Sequence, residues 1–286
     1  MIDEDRIVVA PGVFSPAIAR LAEGVGFKAL YFSGAAFSNL LALPDLGITT
    51  LSEVAKAVHD INSAVKAPLI VDVDTGFGEA LNVARTVREM TTAGAAAIQL
   101  EDQVLPKRCG HLDGKELVDE DEMAKKVIAA KESSGGDLVV IARTDARSVE
   151  GLDSAVDRAR LYERAGADMI FPEALESREE FAEFRQKIKV PMLANMTEFG
   201  KTPYMKISEF EKLGYNVVIF PVTAFRSMMK TVEATLRQLK REGSQKKFLG
   251  SLMTRDEFND LIGYQDYEGA DRRTMASAKR LRRART

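Results

Sequence analysis

The stretch Glu101-Asp-Gln-Val-Leu-Pro-Lys-Arg-Cys-Gly-His111 holds the only cysteine of the chain and one of its two histidines. A free thiol ionises at about pH 8.5, and adjacent cations stabilise the thiolate. Among Lys107, Arg108 and His111, Cys109 is therefore predicted to release its proton readily and to serve as a general acid or base. A lone cysteine is more commonly a small buried apolar group, but charged neighbours on both sides do not suit a core position. A second concentration of chemistry is Asp72-Val-Asp74, whose spacing of two puts both carboxylates on one face of a strand end. Together with Asp45 and Glu101 these groups would repel one another unless a cation sits among them. Oxygen donors and the scarcity of histidine favour Mg²⁺, with Mn²⁺ the other suitable ion, over zinc. Most of the set would act through water.

These groups need a frame. Short apolar, β-branched runs recur at 7–10, 29–33, 69–73, 97–100, 138–142, 169–172, 192–194 and 217–220, each followed by a polar turn. Helical periodicity follows at 16–24, 51–64, 80–93, 121–132, 152–165, 178–188, 207–213 and 224–241. Runs that are apolar throughout, rather than alternating, predict strands buried on both faces, hence parallel strands covered by helices. Eight such units predict an α/β fold of the (β/α)₈ TIM-barrel type. The other arrangement, a doubly wound sheet, lacks the Gly-x-Gly-x-x-Gly that usually follows its first strand. Ser33, Asp72, Glu101, Arg143, Glu173, Asn195 and the Pro221-Val-Thr223 turn stand at successive strand ends. In a barrel the loops after the strands converge on one face. Any one of these residues could be a helix N-cap; a row of them predicts a site.

Composition narrows the partners. Forty basic and forty-three acidic residues leave a net charge of −3, which suits neither nucleic acid nor an anionic membrane. No apolar run approaches the length of a membrane span. The acidic opening Met1–Arg6 has no apolar core of a secretory signal, and one cysteine allows no intrachain disulfide, so a cytoplasmic location is expected. Residues 1–245 are expected to form the catalytic barrel, with 246–286 a C-terminal helical extension ending in a solvated or partner-docked basic tail.

Asp72-Val-Asp-Thr-Gly-Phe-Gly78, Glu101-Asp-Gln103 and Lys107-Arg-Cys-Gly-His111 resemble the isocitrate lyase and phosphoenolpyruvate mutase superfamily. Its members are Mg²⁺-dependent barrels that make or break C–C or P–C bonds in α-oxycarboxylates. The cysteine stretch resembles the lyase branch. Leu43-Pro-Asp-Leu-Gly47, Phe171-Pro-Glu-Ala174, Asn195–Pro203 and Ala224-Phe-Arg-Ser-Met228 are similar to the 2-methylisocitrate lyases within it. The likeness runs from about Ile7 to Tyr267 and implies retro-aldol cleavage of a tricarboxylate, 2-methylisocitrate or isocitrate, to pyruvate or glyoxylate plus succinate. The alternatives are a 2,3-dimethylmalate lyase, an oxaloacetate decarboxylase or a phosphonate-processing relative.

The resemblance also implies roles. Asp72 and Asp74 would hold the metal, with Glu101 and Asp45 behind them. Cys109 would protonate the succinate carbanion. Ser33, Gly34, Ala35, Lys107, Gly110, His111, Arg143, Glu173, Asn195, Thr197 and Arg226 would bind substrate. Tyr31, Asp45 or solvent activated by the metal would take the hydroxyl proton. Arg255, in an extra helical segment at 247–262 that in relatives packs on a neighbouring subunit, would also bind substrate by reaching a carboxylate, and a homotetramer built as a dimer of dimers is implied. The apolar stripe Phe248, Leu249, Leu252, Phe258, Leu261 and Ile262 is consistent with such an exchange.

Overall fold

The computed structural model describes residues 7–283. The eight strands are β1 (Val8–Val13), β2 (Leu30–Phe32), β3 (Leu69–Asp72), β4 (Ala97–Glu101), β5 (Val139–Thr144), β6 (Met169–Pro172), β7 (Leu193–Asn195) and β8 (Val217–Phe220). All neighbours pair in parallel, in the order β6-β5-β4-β3-β2-β1-β8-β7. The ring closes between β6 and β7 through a single bridge, Ile170 to Met192. This is the expected TIM-type barrel, with each strand within a few residues of its expected place.

Helices α1 (Pro16–Val25), α2 (Gly34–Leu40), α3 (Leu51–Asn62), α4 (Ala80–Thr92), α5 (Glu120–Ser134), α6 (Leu152–Arg164), α7 (Arg178–Lys187), α8 (Ile207–Leu213) and α9 (Thr223–Glu242) fill the connections. Their starts have local causes. Ser15 caps α1 with Pro16 in the first turn, and Thr50 and Glu53 form a reciprocal capping box on α3. Only α2 was unexpected. Its seven residues, Gly-Ala-Ala-Phe-Ser-Asn-Leu, are too few to show helical periodicity, and the helix is nucleated by the Ser33 cap.

Successive strand residues serve two cores. Leu30 and Phe32, with Leu69, Val71, Ile98 and Val140, pack beneath the outer helices against Val83, Val87 and Met90. Tyr31, Ile70, Ala97, Ile141, Met169, Phe171 and Ile219 form a separate cluster of strand residues around the barrel axis. Burial on both faces is why the strands read as continuous apolar runs.

The chain divides into two compact units, one ending at Met228 and one beginning at Met229. The second contains the rest of α9, a 3-10 segment (Lys246–Ser251), α10 (Arg255–Ile262) and α11 (Tyr264–Arg283). The expected basic tail is thus a twenty-residue helix up to Arg283. Arg280, Arg282 and Arg283 occupy its last turn, where cations favour the negative end of the helix dipole. Residues 284–286 lie outside the described part. No helix among the described residues is long and apolar enough to cross a membrane.

Candidate active site

A cavity of about 420 Å³ opens at the C-terminal ends of the strands, the face where barrel enzymes keep their active sites. Its wall brings together Tyr31, Ser33, Ala35, Asp45, Asp72, Lys107, Cys109, Gly110, His111, Arg143, Glu173, Asn195, Thr197 and Arg226, all expected from sequence. Asp74, Glu101 and Gly34 lie just behind it. Arg255 heads α10 in the second unit and is not among the lining residues.

The β3–β4 side is crowded with carboxylates. Asp72 accepts from the Gly34 N–H at 3.3 Å and from the Asp74 N–H at 3.1 Å. Asp74 reaches this position in the left-handed region, at φ +50°, directly after the strand. Burial, reinforced by Asp74, pushes the Asp72 carboxyl up to about 6. Burial likewise drives Glu101 well above the usual carboxylate range, and neither of its oxygens accepts a hydrogen bond, although Oε2 lies 3.2 Å from Arg143 Nη1. Lys107 supplies some of the missing charge. Its ammonium pairs with Asp45 and lies 2.7 Å from Asp74 Oδ1, off the line of a hydrogen bond. Burial opposes that ammonium, but the surrounding carboxylates hold its pKa well above the ordinary value.

The cluster therefore carries more negative charge than its cations offset, which suits a further cation. Among the described residues no three acidic, imidazole or thiol groups form a ready-made ligand shell. An ion here would take one or two carboxylates and complete its shell with water and substrate oxygen, as Mg²⁺ prefers.

The β5–β7 side is balanced instead. Arg143 makes two hydrogen bonds to Asp145, at 2.9 and 3.1 Å, and lies 5.3 Å from the centre of the Phe171 ring. Asn195 donates to both oxygens of Glu173, at 3.1 and 3.3 Å, so its amide supports Glu173 rather than standing free for substrate. His111 Nε2 lies 2.8 Å from Glu173 Oε1. Burial opposes ionisation of Glu173, yet Arg143 and His111 outweigh it and hold the carboxyl down at about 2. Tyr31 donates its hydroxyl to Gln99 at 2.8 Å, and burial with the nearby Asp72 raises its pKa well above the ordinary value. A phenol held neutral in this way is a poor base, which removes Tyr31 from the candidates for taking the hydroxyl proton.

Cys109 departs from expectation. Its flanking cations do not touch the thiol: Lys107 turns to Asp45 and Asp74, and Arg108 is exposed. Burial raises the thiol pKa, and a hydrogen bond from the His111 backbone only partly offsets this. Cys109 thus holds its proton, as a proton donor must. The loop bearing it docks on the β7–α8 loop, where the Lys201 N–H donates to His111 Nδ1 at 3.0 Å and Lys201 Nζ meets Asp113 at 2.6 Å. Gly200 is needed here, since a Cβ would lie 2.6 Å from His111 Nδ1.

Ser33 is the N-cap of α2, accepting from the Ala36 N–H, which leaves its own O–H to donate, whereas the Gly34 N–H is committed to Asp72. Arg226 lies over Phe199 at 5.1 Å, half-exposed at the cavity rim beside Glu198. Sequence reasoning missed Gln99 and Lys115. Both are buried polar groups whose importance depends on contacts with residues far along the chain or across a loop, and nothing in their neighbours marks them.

The model of the family described as phosphoenolpyruvate phosphomutase matches residues 2–240. The chain belongs to the phosphoenolpyruvate mutase and isocitrate lyase superfamily. A 2-methylisocitrate lyase of Aeropyrum pernix is 57% identical over 281 residues, covering 98% of this chain and 91% of that one. The 2-methylisocitrate lyase of Bacillus subtilis is 52% identical, covering 93% and 88%. Among solved structures, a 2,3-dimethylmalate lyase described as a member of this superfamily aligns with a TM-score of 0.89 at 37% identity, covering 94% of this chain and 91% of that one. Superfamily membership agrees with the barrel, the strand-end site and the cysteine loop.

Proposed function

We infer that this protein is a carbon–carbon lyase that cleaves 2-methylisocitrate to pyruvate and succinate. The observation that carries the reading is the Cys109 thiol held in the same cavity as Asp72, Arg143 and Arg226, in a chain 57% identical to a 2-methylisocitrate lyase. A mutase that moves a phosphoryl group between carbon and oxygen delivers no proton to carbon, and so has no use for such a donor.

Asp72 and Asp74 would hold Mg²⁺, or Mn²⁺, largely through water, with Asp45, Glu101 and Lys107 setting the charge around them. When bound, that ion polarises the substrate hydroxyl and its neighbouring carboxylate as a Lewis acid. Loss of the hydroxyl proton forms the ketone of pyruvate as the C2–C3 bond breaks. The bonding electrons pass to C3 and its carboxylate, giving a succinate carbanion. Arg143, buried where a fixed cation is most effective, would stabilise that developing charge, with Arg226 adding to it from the rim. The Cys109 thiol then delivers a proton to C3, and the thiolate regains one from solvent. Asp45, which lines the same cavity, would accept the hydroxyl proton. Phe171, Ile219, Val222 and Phe225 form an apolar part of the wall that suits the 2-methyl group.

Product analysis with 2-methylisocitrate, isocitrate and 2,3-dimethylmalate, each with and without Mg²⁺, tests this. The highest kcat/KM is expected for 2-methylisocitrate, with pyruvate and succinate in equal amounts. A higher value for 2,3-dimethylmalate would overturn the substrate assignment and leave the lyase chemistry standing.

The second unit supports assembly. Met229, Val232, Leu236 and Leu239 line one face of α9, each at least 40% exposed, and Leu249, Leu252 and Phe258 are exposed beyond it. In a homotetramer built as a dimer of dimers such apolar surface would be covered by another subunit. Light scattering at micromolar concentration should give a tetramer mass; a monomer would refute the assembly.

A further inference from the structure

The stem of the Cys109 loop is held by backbone pairing: Val104 N–H donates to Glu116 O at 2.8 Å and Val118 N–H to Asp102 O at 2.9 Å. Gln103 then clamps Arg108 from both sides, donating to its carbonyl and accepting from its N–H, each at 2.9 Å. Cys109 and Gly110 lie beyond that clamp. What reaches them is Lys115. It sits between exposed Gly114 and Glu116, yet its own side chain is only 1% exposed. Its ammonium donates to the Gly110 carbonyl and lies 3.3 Å from Asp145 Oδ1. Asp145, fully buried, is the carboxylate that grips Arg143 through two hydrogen bonds. Gly110 is pressed against the same group, because a Cβ there would lie 2.6 Å from Arg143 Nη2 and 2.3 Å from Glu173 Cγ. Burying an ammonium is costly unless its partners repay it, and both of these partners belong to the active site.

We propose that Lys115 is a positioning residue that latches the Cys109–Gly110 tip onto the Asp145–Arg143 pair. The thiol and the guanidinium are then set as one unit, and Arg143 cannot be aimed without seating the loop. The catalytic consequence rests on Cys109 being the proton donor; the latch itself rests on the contacts just described.

The test is Lys115→Met in the full-length enzyme, with Cys109 alkylation by iodoacetamide followed across pH. The plateau rate at high pH reports access to the thiolate independently of its pKa. Loss of the latch should raise that plateau by about tenfold or more, since loop opening becomes cheaper. It should lower kcat by about a hundredfold, the scale expected of a misplaced group, with a much smaller change in KM. Lys115→Arg, which keeps the charge and donors, should recover much of both. A folded Lys115→Met enzyme with a wild-type plateau rate overturns the latch whatever its kcat. If that variant does not fold, Lys115→Gln, which keeps a donor but loses the charge, is judged on the same plateau. Should Cys109→Ser prove fully active, the proton-donor reading fails while the alkylation result still decides the latch.

Discussion

Glu101 and Glu173 are the same residue type at the ends of the two strands that flank β5, both 1% exposed and both facing Arg143, yet they are in opposite states. Glu173 is fully provided for, with Asn195, His111 and Arg143 holding it down at about 2. Glu101 accepts no hydrogen bond and is driven well above the carboxylate range by burial. The difference separates two kinds of buried charge. One is finished structure that aims an arginine and a histidine, and the other is unfinished until a cation and a substrate arrive. The cavity is therefore divided into a side that waits for charge and a side that already holds it.

The largest effect should come from the unfinished side. Asp72→Ala or Asp74→Ala should lower turnover by more than about a thousandfold, the scale of several kcal/mol of lost charge stabilisation, while the barrel still folds. Full activity in excess EDTA would abolish the distinction between the two sides. Next in size is Cys109→Ser, which keeps the shape but replaces the thiol by a far weaker acid. A loss in kcat of about 10²–10⁴-fold is expected, with little change in KM. Retention of more than about a tenth of wild-type kcat would make the cysteine a bystander and favour decarboxylation over cleavage.

The smallest effect bears on the two glutamates directly. In metal-free protein at neutral pH, Glu173→Gln should cost about 3 kcal/mol of stability, because it breaks a buried charge network. Glu101→Gln should cost less than about 1 kcal/mol or be stabilising, because it replaces a buried carboxyl that accepts no hydrogen bond and whose ionised form burial disfavours. The pH dependence has opposite signs. The folded-state pKa of Glu173 is depressed to about 2, so its contribution is present above its unfolded value and lost as pH falls toward 2. The folded-state pKa of Glu101 is raised, so its contribution is present below its unfolded value and lost as pH rises through the folded one. Urea denaturation of both variants across pH checks this. Equal costs at neutral pH would show that the two carboxylates do not differ.

Most of the frame was legible in the chain. Eight continuous apolar runs separated by amphipathic segments have few solutions besides a closed parallel barrel, because strands buried on both faces need helices outside. That topology fixes which end of each strand faces the cavity, so the types at those ends, from Asp72 to Arg226, could be listed before any contact was known. Charge state could not. Lys107 and Arg108 flank Cys109 in sequence, which suggested an acidified thiol, but one ammonium folds onto Asp45 and Asp74 and one guanidinium faces solvent. Burial then raises the thiol pKa. Neighbours in sequence are not neighbours in the field, which depends on distance and desolvation.

The amino-acid sequence by itself determined the strands, the family to which the cysteine loop belongs, and the set of groups available for chemistry, because local periodicity and residue type survive without knowing the fold. Only the tertiary structure decided how those groups are spent. It made Ser33 a helix cap, committed Asn195 to Glu173, held Tyr31 neutral against Gln99, and buried Lys115 between Gly110 and Asp145. Gln99 is 68 positions from Tyr31 and Asp145 is 30 from Lys115. Contacts across such separations are created by barrel closure, and the proton affinities and orientations that make a site follow from them.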